Sequence, residues 1–139
     1  MNNDDASVVA LQRPTDFFTP DEIAYLREVD SWRSSLAIAH CWAVIVGTWI
    51  VVCLFPNPIT ITLGVMIIGA RQLGLFVLTH DGAHGALYKN RRLNDWVCEW
   101  LLNRPFTDEK IDNYRKYHVE HHANTQQEND PDLVLSKPF

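Results

Sequence analysis

Two long apolar blocks dominate the pattern of hydrophobic and polar positions along the chain. Residues 36–55 contain no charged side chain, and residues 59–78 form a second block of the same length. A helix of about 20 residues spans roughly 30 Å, which is the thickness of the hydrocarbon layer of a bilayer. Pro56-Asn57-Pro58 separates the blocks and breaks a helix. We therefore predict an all-α integral membrane fold with one transmembrane helical hairpin.

The hairpin divides the chain into three segments. Residues 1–34 form a polar N-terminal segment, 35–79 form the hairpin, and 80–139 form a region that is rich in histidine. In the first segment, Thr19 followed by proline and two acids is typical of a helix start, which predicts a surface helix over about 21–31.

A further helix is predicted after the second block, because large apolar residues recur there at helical spacing. They are Leu93, Trp96, Val97, Trp100 and Leu101. Two interpretations are open: the helix lies in the lipid headgroup layer, or it packs on the protein itself.

The charge distribution excludes one partner class and predicts an orientation. The net charge is -5 and no basic stripe occurs, so binding to nucleic acid is not expected. Three Lys or Arg residues precede the first block, none lies in the turn and eight follow the second block. The positive-inside rule then places both termini in the cytoplasm. Arg71, inside the second block, is either a functional charge facing the cytoplasmic side or a side chain that snorkels to the interface.

Five of the six histidines fall into two compact groups, which we call box 1 and box 2. Box 1 is His80-Asp81-Gly82-Ala83-His84, directly after the second apolar block. Histidines four residues apart lie on one face of a helix, so both imidazoles are able to reach the same ion.

Box 2 is His118-Val119-Glu120-His121-His122. It follows Thr107-Asp108-Glu109, which we interpret as a helix start, and no helix breaker occurs before Pro131. On that helix His118 shares a face with both His121 and His122, which diverge from each other by about 100° around the axis. One turn of helix is thus able to supply two metal ions. Imidazole suits iron, zinc and copper, so ligand type alone does not choose among them.

The segments THDGAHGALYKNRRLNDW and YRKYHVEHHANTQQENDPD resemble the first and second histidine boxes of the membrane fatty acid desaturase family. The resemblance covers roughly residues 70 to 132. It implies a two-iron centre at the cytoplasmic membrane face, held by the five histidines His80, His84, His118, His121 and His122. Asp81 is then either an acceptor for the second N–H of a ligand imidazole or an ordinary surface aspartate. Asp130-Pro131-Asp132 matches the family's stretch after the second box, and we interpret it as a helix-ending turn.

The chain also departs from the family pattern. Such enzymes carry a second membrane hairpin and a third box, neither of which is present in these 139 residues, so we expect an N-terminal portion of the enzyme that is truncated before the third box. Five box histidines only partly fill two iron coordination spheres. His40 is not an expected substitute, because a histidine near the start of the first span is interpreted as a hydrogen-bonded membrane residue.

The resemblance implies dioxygen activation at iron and removal of two hydrogens from an acyl chain of a lipid substrate. No nucleotide-binding glycine motif occurs, so a separate ferredoxin-like or cytochrome-type protein is the expected electron donor. The alternatives are a related membrane hydroxylase or ketolase, and a non-catalytic, truncated metal-binding membrane protein.

The predicted orientation is testable with reporter fusions at residue 1 and after Phe139. Both reporters should be cytoplasmic, because the counts of three, none and eight cationic residues favour that side for both ends. Reporters on opposite sides of the membrane would mean that one of the two predicted spans is wrong.

Overall fold

The computed structural model describes the backbone of residues 13–136 and the side chains of residues 13–133. Within those ranges the regular structure is entirely helical. A 3-10 turn, Pro14–Asp16, is followed by α1 (Pro20–Leu26), α2 (Ser31–Leu54), α3 (Pro58–Ala83), α4 (Arg91–Val97), a π-helical segment (Cys98–Asn103), α5 (Ile111–Asn124) and α6 (Pro131–Ser136). The outer ends of the predicted segments 1–34 and 80–139 lie outside the described residues.

The N-terminal surface helix is shorter than the prediction of 21–31. Its start is as expected: Glu22 accepts a hydrogen bond from the Thr19 backbone N–H at 2.8 Å, and Thr19 accepts one from the Glu22 N–H. The helix ends at Leu26 because Asp30 starts a new helix four residues later. One carboxylate oxygen of Asp30 accepts the N–H groups of Trp32 and Arg33, each at 3.1 Å.

The two apolar blocks lie in α2 and α3, and both helices are long and apolar enough to cross a membrane. The turn between them follows from Asn57, whose side-chain oxygen accepts the first two free N–H groups of α3. The helices pack in antiparallel order, since Gly64 lies against Val52 and Gly74 lies against Cys41. With 24 and 26 residues, both helices are longer than the predicted blocks. Because α3 continues past residue 78, box 1 stands on the same helix as the second apolar block.

Most of the apolar surface of α2 and α3 is uncovered. Trp49, Leu54, Ile59 and Val65 are each more than 60% exposed. A soluble protein rarely exposes an apolar surface of this extent, whereas a lipid-facing helix does. The two helices therefore indicate that the protein associates with a membrane.

A small core lies where the C-terminal end of α3 meets the elements that follow it. Its buried apolar side chains come from α2 as well, and they are Ile38, Cys41, Leu75, Leu87, Val97, Cys98, Leu102 and Ile111. The packing interpretation of the helix around residues 93–101 holds for Val97, which is buried on the protein, while Leu93, Trp96 and Trp100 are exposed. The placement of these exposed side chains in the headgroup layer stays a prediction.

Gly82 of box 1 is required by this core. A Cβ atom at residue 82 would lie 1.8 Å from the Sγ of Cys98 and 3.1 Å from Leu87. The absence of a side chain therefore lets the π-helical segment approach the backbone of α3. The glycine that weakens the helix locally makes the packing of box 1 possible.

Gly82→Ala should lower the free energy of unfolding by about 1–3 kcal/mol, because the added methyl group overpacks the core. Thermal and denaturant unfolding of the solubilised protein, followed by circular dichroism, measures this. Adding Cys98→Ala should restore most of the loss, because it removes the clashing sulfur.

Gly69→Ala is the matched control, because a Cβ there meets nothing within 4 Å. It should leave the protein as stable as before or slightly more stable, since alanine is the better helix former. A neutral Gly82→Ala, or a double variant no better than the single one, would contradict this account of the core.

Candidate metal centre

Box 1 occupies the last turn of α3. His80 lies within the helix and His84 is its C-cap, followed by Gly85 with a φ of 76°. A positive φ suits glycine and ends the helix there. The two imidazole centroids are 4.9 Å apart. The spacing of four residues therefore brings both rings to one side of α3, as predicted.

Box 2 lies on α5, but that helix starts and ends elsewhere than predicted. The hydroxyl of Thr107 accepts the N–H of Glu109 within a turn that precedes the helix. The first N–H of α5, on Ile111, donates instead to a carboxylate oxygen of Glu99 at 2.8 Å, and this hydrogen bond, followed by the contact with Arg104, lowers the pKa of Glu99. The helix ends at Asn124 and does not continue to Pro131.

Four of the five box histidines form one cluster, the four-histidine cluster of His80, His84, His118 and His122. The Nε2 atom of His118 lies 2.9 Å from the Nε2 of His84 and 3.0 Å from the Nε2 of His122. The ring of His80 is 4.4 Å from that of His118, centroid to centroid. One ligand atom from each residue lies within 4.8 Å of all the others, so α3 and α5 together present four nitrogens to one point.

The nitrogen separations are those of ligands around a shared ion. Two nitrogens that are each about 2.1 Å from one ion, the Zn–N distance in proteins, lie roughly 3.0 Å apart at right angles and roughly 3.4 Å apart at the tetrahedral angle. The separations of 2.9 and 3.0 Å match the right-angle arrangement of an octahedral ion. The donor set therefore fits a divalent transition metal.

The cluster also favours the protonation state that binds metal. Burial lowers the pKa of His118, and the neighbouring imidazoles, first His80 and then His122, lower it further. The pKa of His84 is lowered for the same two reasons, with Asp81 acting in the opposite direction. Neutral imidazoles keep the nitrogen lone pairs that a metal ion requires.

His121 lies beside this cluster and has different partners. Its ring centroid is 6.1 Å from that of His118 and 5.7 Å from that of His122. Its Nδ1 atom lies 2.8 Å from Asp130 and 3.2 Å from Asp132, and these three residues form a second group with the geometry of metal ligands. The hydrogen bond to Asp130 is the main cause of a raised pKa for His121.

The carboxylate closest to a box histidine is that of Asp130, and not that of Asp81 as the sequence suggested. The Oδ1 of Asp81 is 3.5 Å from the Nδ1 of His80, which is long for a hydrogen bond, so the predicted role of Asp81 stays a prediction. Asp130, interpreted from the sequence as part of a helix-ending turn, is buried and binds His121. It also precedes α6 and accepts the N–H groups of Asp132 and Leu133. The sequence did hold an indication, because an aspartate directly before a proline is typical of a helix start.

A polar clamp that no sequence pattern predicts joins the two boxes. Arg115, on α5, donates from Nε to the carbonyl of Ala83 in box 1 at 3.0 Å and from a terminal nitrogen to Asp95 at 2.6 Å. The buried Asn94 donates to the carbonyl of Gly82 at 2.8 Å. Arg115 thus binds a carbonyl that the end of α3 leaves free, and Asn94 is a second donor to the Gly82 carbonyl, which also accepts the N–H of Gly85.

Arg71 and His40 lie outside both histidine groups. Arg71 is half-buried and makes no ion pair within the described residues, so neither interpretation of its charge is decided. His40 is exposed on α2, and the described part of the chain gives it no hydrogen-bond partner, contrary to the prediction of a hydrogen-bonded membrane histidine.

The ring of Tyr114 stacks on that of His118 with a centroid separation of 5.6 Å and an interplanar angle of 7°. Phe76 packs edge-on against the ring of Tyr114, with the two ring centroids 6.0 Å apart. Both rings line a cavity of about 430 Å³, which lies between α3, the end of the π-helical segment and the residues that follow that segment. It lies within the size range of small-molecule sites and has both apolar and polar walls.

The fold and the site together define a membrane-associated helical protein with a polyhistidine centre able to hold metal. Residues 56–138, more than half of the chain, match the sequence model of the family described as fatty acid desaturase. The chain belongs to the fatty acid desaturase family, and it is accordingly a desaturase-like oxidoreductase of fatty acid metabolism. The family uses iron, a lipid substrate and an electron donor. No curated protein and no solved structure is significantly similar to the chain.

Arg115→Ala should lower the free energy of unfolding by about 1–3 kcal/mol, because it leaves the Ala83 carbonyl without its side-chain donor and removes the ion pairs of Arg115 with Asp95 and Asp112. Unfolding of the solubilised protein measures the change. Lys116→Ala is the matched control, since Lys116 is the exposed neighbour on the same helix. Equal stability of the two variants would show that the clamp does not hold the boxes together.

Proposed function

We propose that the four-histidine cluster, with His121 beside it, holds the iron of an enzyme that uses dioxygen to introduce a double bond into the acyl chain of a lipid. The observation that carries the proposal is the convergence of three Nε2 atoms, from His84, His118 and His122, with separations of 2.9 and 3.0 Å. Neutral imidazoles at these separations are able to form N–H···N hydrogen bonds, but one cation at their meeting point would bind the lone pairs of all three rings at once.

Iron is favoured over the other metals that imidazole binds by two features. The family to which the chain belongs uses iron. No thiolate belongs to either histidine group in the described residues, and burial raises the pKa of the nearby Cys98 to about 12, so that thiol stays protonated. Bound iron would supply the activation of dioxygen.

Two positions for metal are supported by the two groups. The four-histidine cluster would hold one ion. The ring of His121 lies 6.1 Å from that of His118 on α5, beside Asp130 and Asp132. A second iron would use His121 and ligands from outside the described residues. This arrangement agrees with the proposed two-iron centre.

The residues around the cluster would bind and orient the substrate. The cavity of about 430 Å³ begins at Tyr114, whose ring is stacked on the His118 imidazole. Phe76, Leu102 and Phe106 give it apolar walls suited to methylene groups. An acyl chain in this cavity would reach the metal centre past Tyr114.

The electron donor is proposed to be a separate ferredoxin-like or cytochrome-type protein, because no nucleotide-binding motif occurs in the sequence. The orientation proposed is integral in the membrane with both termini and both boxes on the cytoplasmic side. Its support is the excess of Lys and Arg after the second apolar block.

Substitution of His84 or His118 by alanine should remove most of the bound iron, because each takes one of the three converging Nε2 atoms from the cluster. His121→Ala should lower the iron content as well. Iron per protein is measured by elemental analysis after purification in detergent, and double-bond formation is measured in cells that express the protein with an electron donor.

His40→Ala is the matched control, because His40 is an exposed histidine outside both groups. It should bind as much iron as the unmodified protein. Unchanged iron content after His84→Ala and His118→Ala would refute the proposed centre. Incorporation of oxygen into the product without loss of two hydrogens would replace desaturation by hydroxylation.

A further inference from the structure

We propose, on the basis of the proposed iron centre, that Asp130 is a positioning residue that fixes the tautomer and orientation of His121. It would hold the proton of His121 on Nδ1 and so leave Nε2 as the nitrogen that binds metal. The Asp130-Pro131-Asp132 stretch thereby acquires a role in the site, where the sequence alone suggested only a turn.

Asp130 is held rigidly by the residues around it. Only 3% of the residue is exposed, and both carboxylate oxygens are occupied. Oδ2 accepts the backbone N–H of Gln126 at 2.8 Å, and Oδ1 accepts the backbone N–H of Asp132 at 2.9 Å. A carboxylate fixed by two main-chain donors presents its remaining acceptor capacity in one direction.

His121 is the donor in its hydrogen bond with Asp130. The Nδ1 of His121 lies 2.8 Å from Oδ1 of Asp130, at ordinary hydrogen-bond distance. Because both oxygens of Asp130 already accept from main-chain N–H groups, the carboxylate is an acceptor and the imidazole is the donor. In a neutral imidazole that donates from Nδ1, the lone pair is on Nε2.

The loop between α5 and α6 folds so that Asp130 lies against α5. The chain leaves α5 after Asn124, passes through Gln126 with a φ of 61°, and closes two turns before α6 starts at Pro131. A positive φ is unfavourable for a residue with a side chain. The hydrogen bond from the N–H of that same residue to Asp130 stabilises it.

Asp132 reinforces the arrangement from the other side. One of its oxygens lies 3.2 Å from Nδ1 of His121, and the other accepts the hydroxyl of Tyr117 one helical turn earlier on α5. The two acids flank a single ring nitrogen. Among the box histidines in the described residues, His121 has the closest carboxylate partner, since Asp81 lies at 3.5 Å from His80.

The competing arrangement is a metal ion bound directly by Nδ1 of His121 and the two acids. A separation of 2.8 Å between nitrogen and oxygen is that of a hydrogen bond, and the oxygens of Asp130 are engaged by the backbone. We therefore favour the positioning role, and the direct metal site becomes an outcome of the test.

The test uses the whole chain in lipid nanodiscs, with 15N-labelled histidine and no metal added. Long-range 1H–15N spectra report which ring nitrogen carries the proton, and His121→Gln assigns the signals of His121. The expected result is a proton on Nδ1 of His121. Asp130→Ala should move the proton to Nε2, while Asp130→Asn should retain it on Nδ1, because the amide oxygen still accepts.

Anaerobic titration with Fe²⁺ then measures the consequence for metal. Asp130→Ala should weaken binding by about 10- to 100-fold, with partial recovery in Asp130→Asn. Glu128→Gln, an exposed acid in the same loop, is the matched control and should bind as the unmodified protein does.

A proton on Nε2 of His121 in the unmodified protein would overturn the proposal, as would equal iron affinity in all variants. Displacement of the Nδ1 proton by Fe²⁺ would assign the direct metal site with the two acids. If the unmodified protein binds no iron, the proposed function fails, but the proton position still decides whether Asp130 orients His121.

Discussion

The C-terminal end of α3 is the point on which the rest of the site depends. This helix carries the second apolar block and ends in box 1, so its last carbonyls lie where the apolar helix meets the polar part of the protein. Arg115 and Asn94 bind two of those carbonyls, and Glu99 binds the first N–H of α5. The free ends of two helices are thus satisfied by side chains of neighbouring elements, which fixes the distance between box 1 and box 2.

Local patterns in the sequence predicted the parts of the fold that local physics determines. The two apolar blocks predicted two long helices because hydrophobic length is a property of a contiguous segment. The spacing of His80 and His84 predicted a shared face, and their rings do lie together. The family that the boxes resemble is confirmed by the match over residues 56–138.

The rest depends on contacts between residues that are distant in sequence. The start of α5 was assigned to Thr107, a good local capping residue, but the helix is capped by Glu99, twelve residues before Ile111. From the sequence, Arg115 counts only as one positive charge, because its partner Ala83 is 32 residues away. No periodicity indicates such side-chain-to-backbone bonds. The end of α5 before Pro131 was missed for a similar reason, because the loop there is stabilised by the Asp130 carboxylate.

Four imidazoles packed together are unfavourable in the metal-free protein, and a bound metal ion would make the same arrangement favourable. Burial lowers the pKa values of His84 and His118, and the neighbouring imidazoles lower them further, because a proton on one ring is repelled by charge on the others. With all rings neutral, the one Nε2 atom of His118 is shared between the Nε2 atoms of His84 and His122. A cation at their meeting point would bind the lone pairs from α3 and α5 at once, so its binding energy would stabilise the contact between the two helices. Clamp and metal would then act on the same two helix ends, the clamp through their backbone and the metal through their side chains.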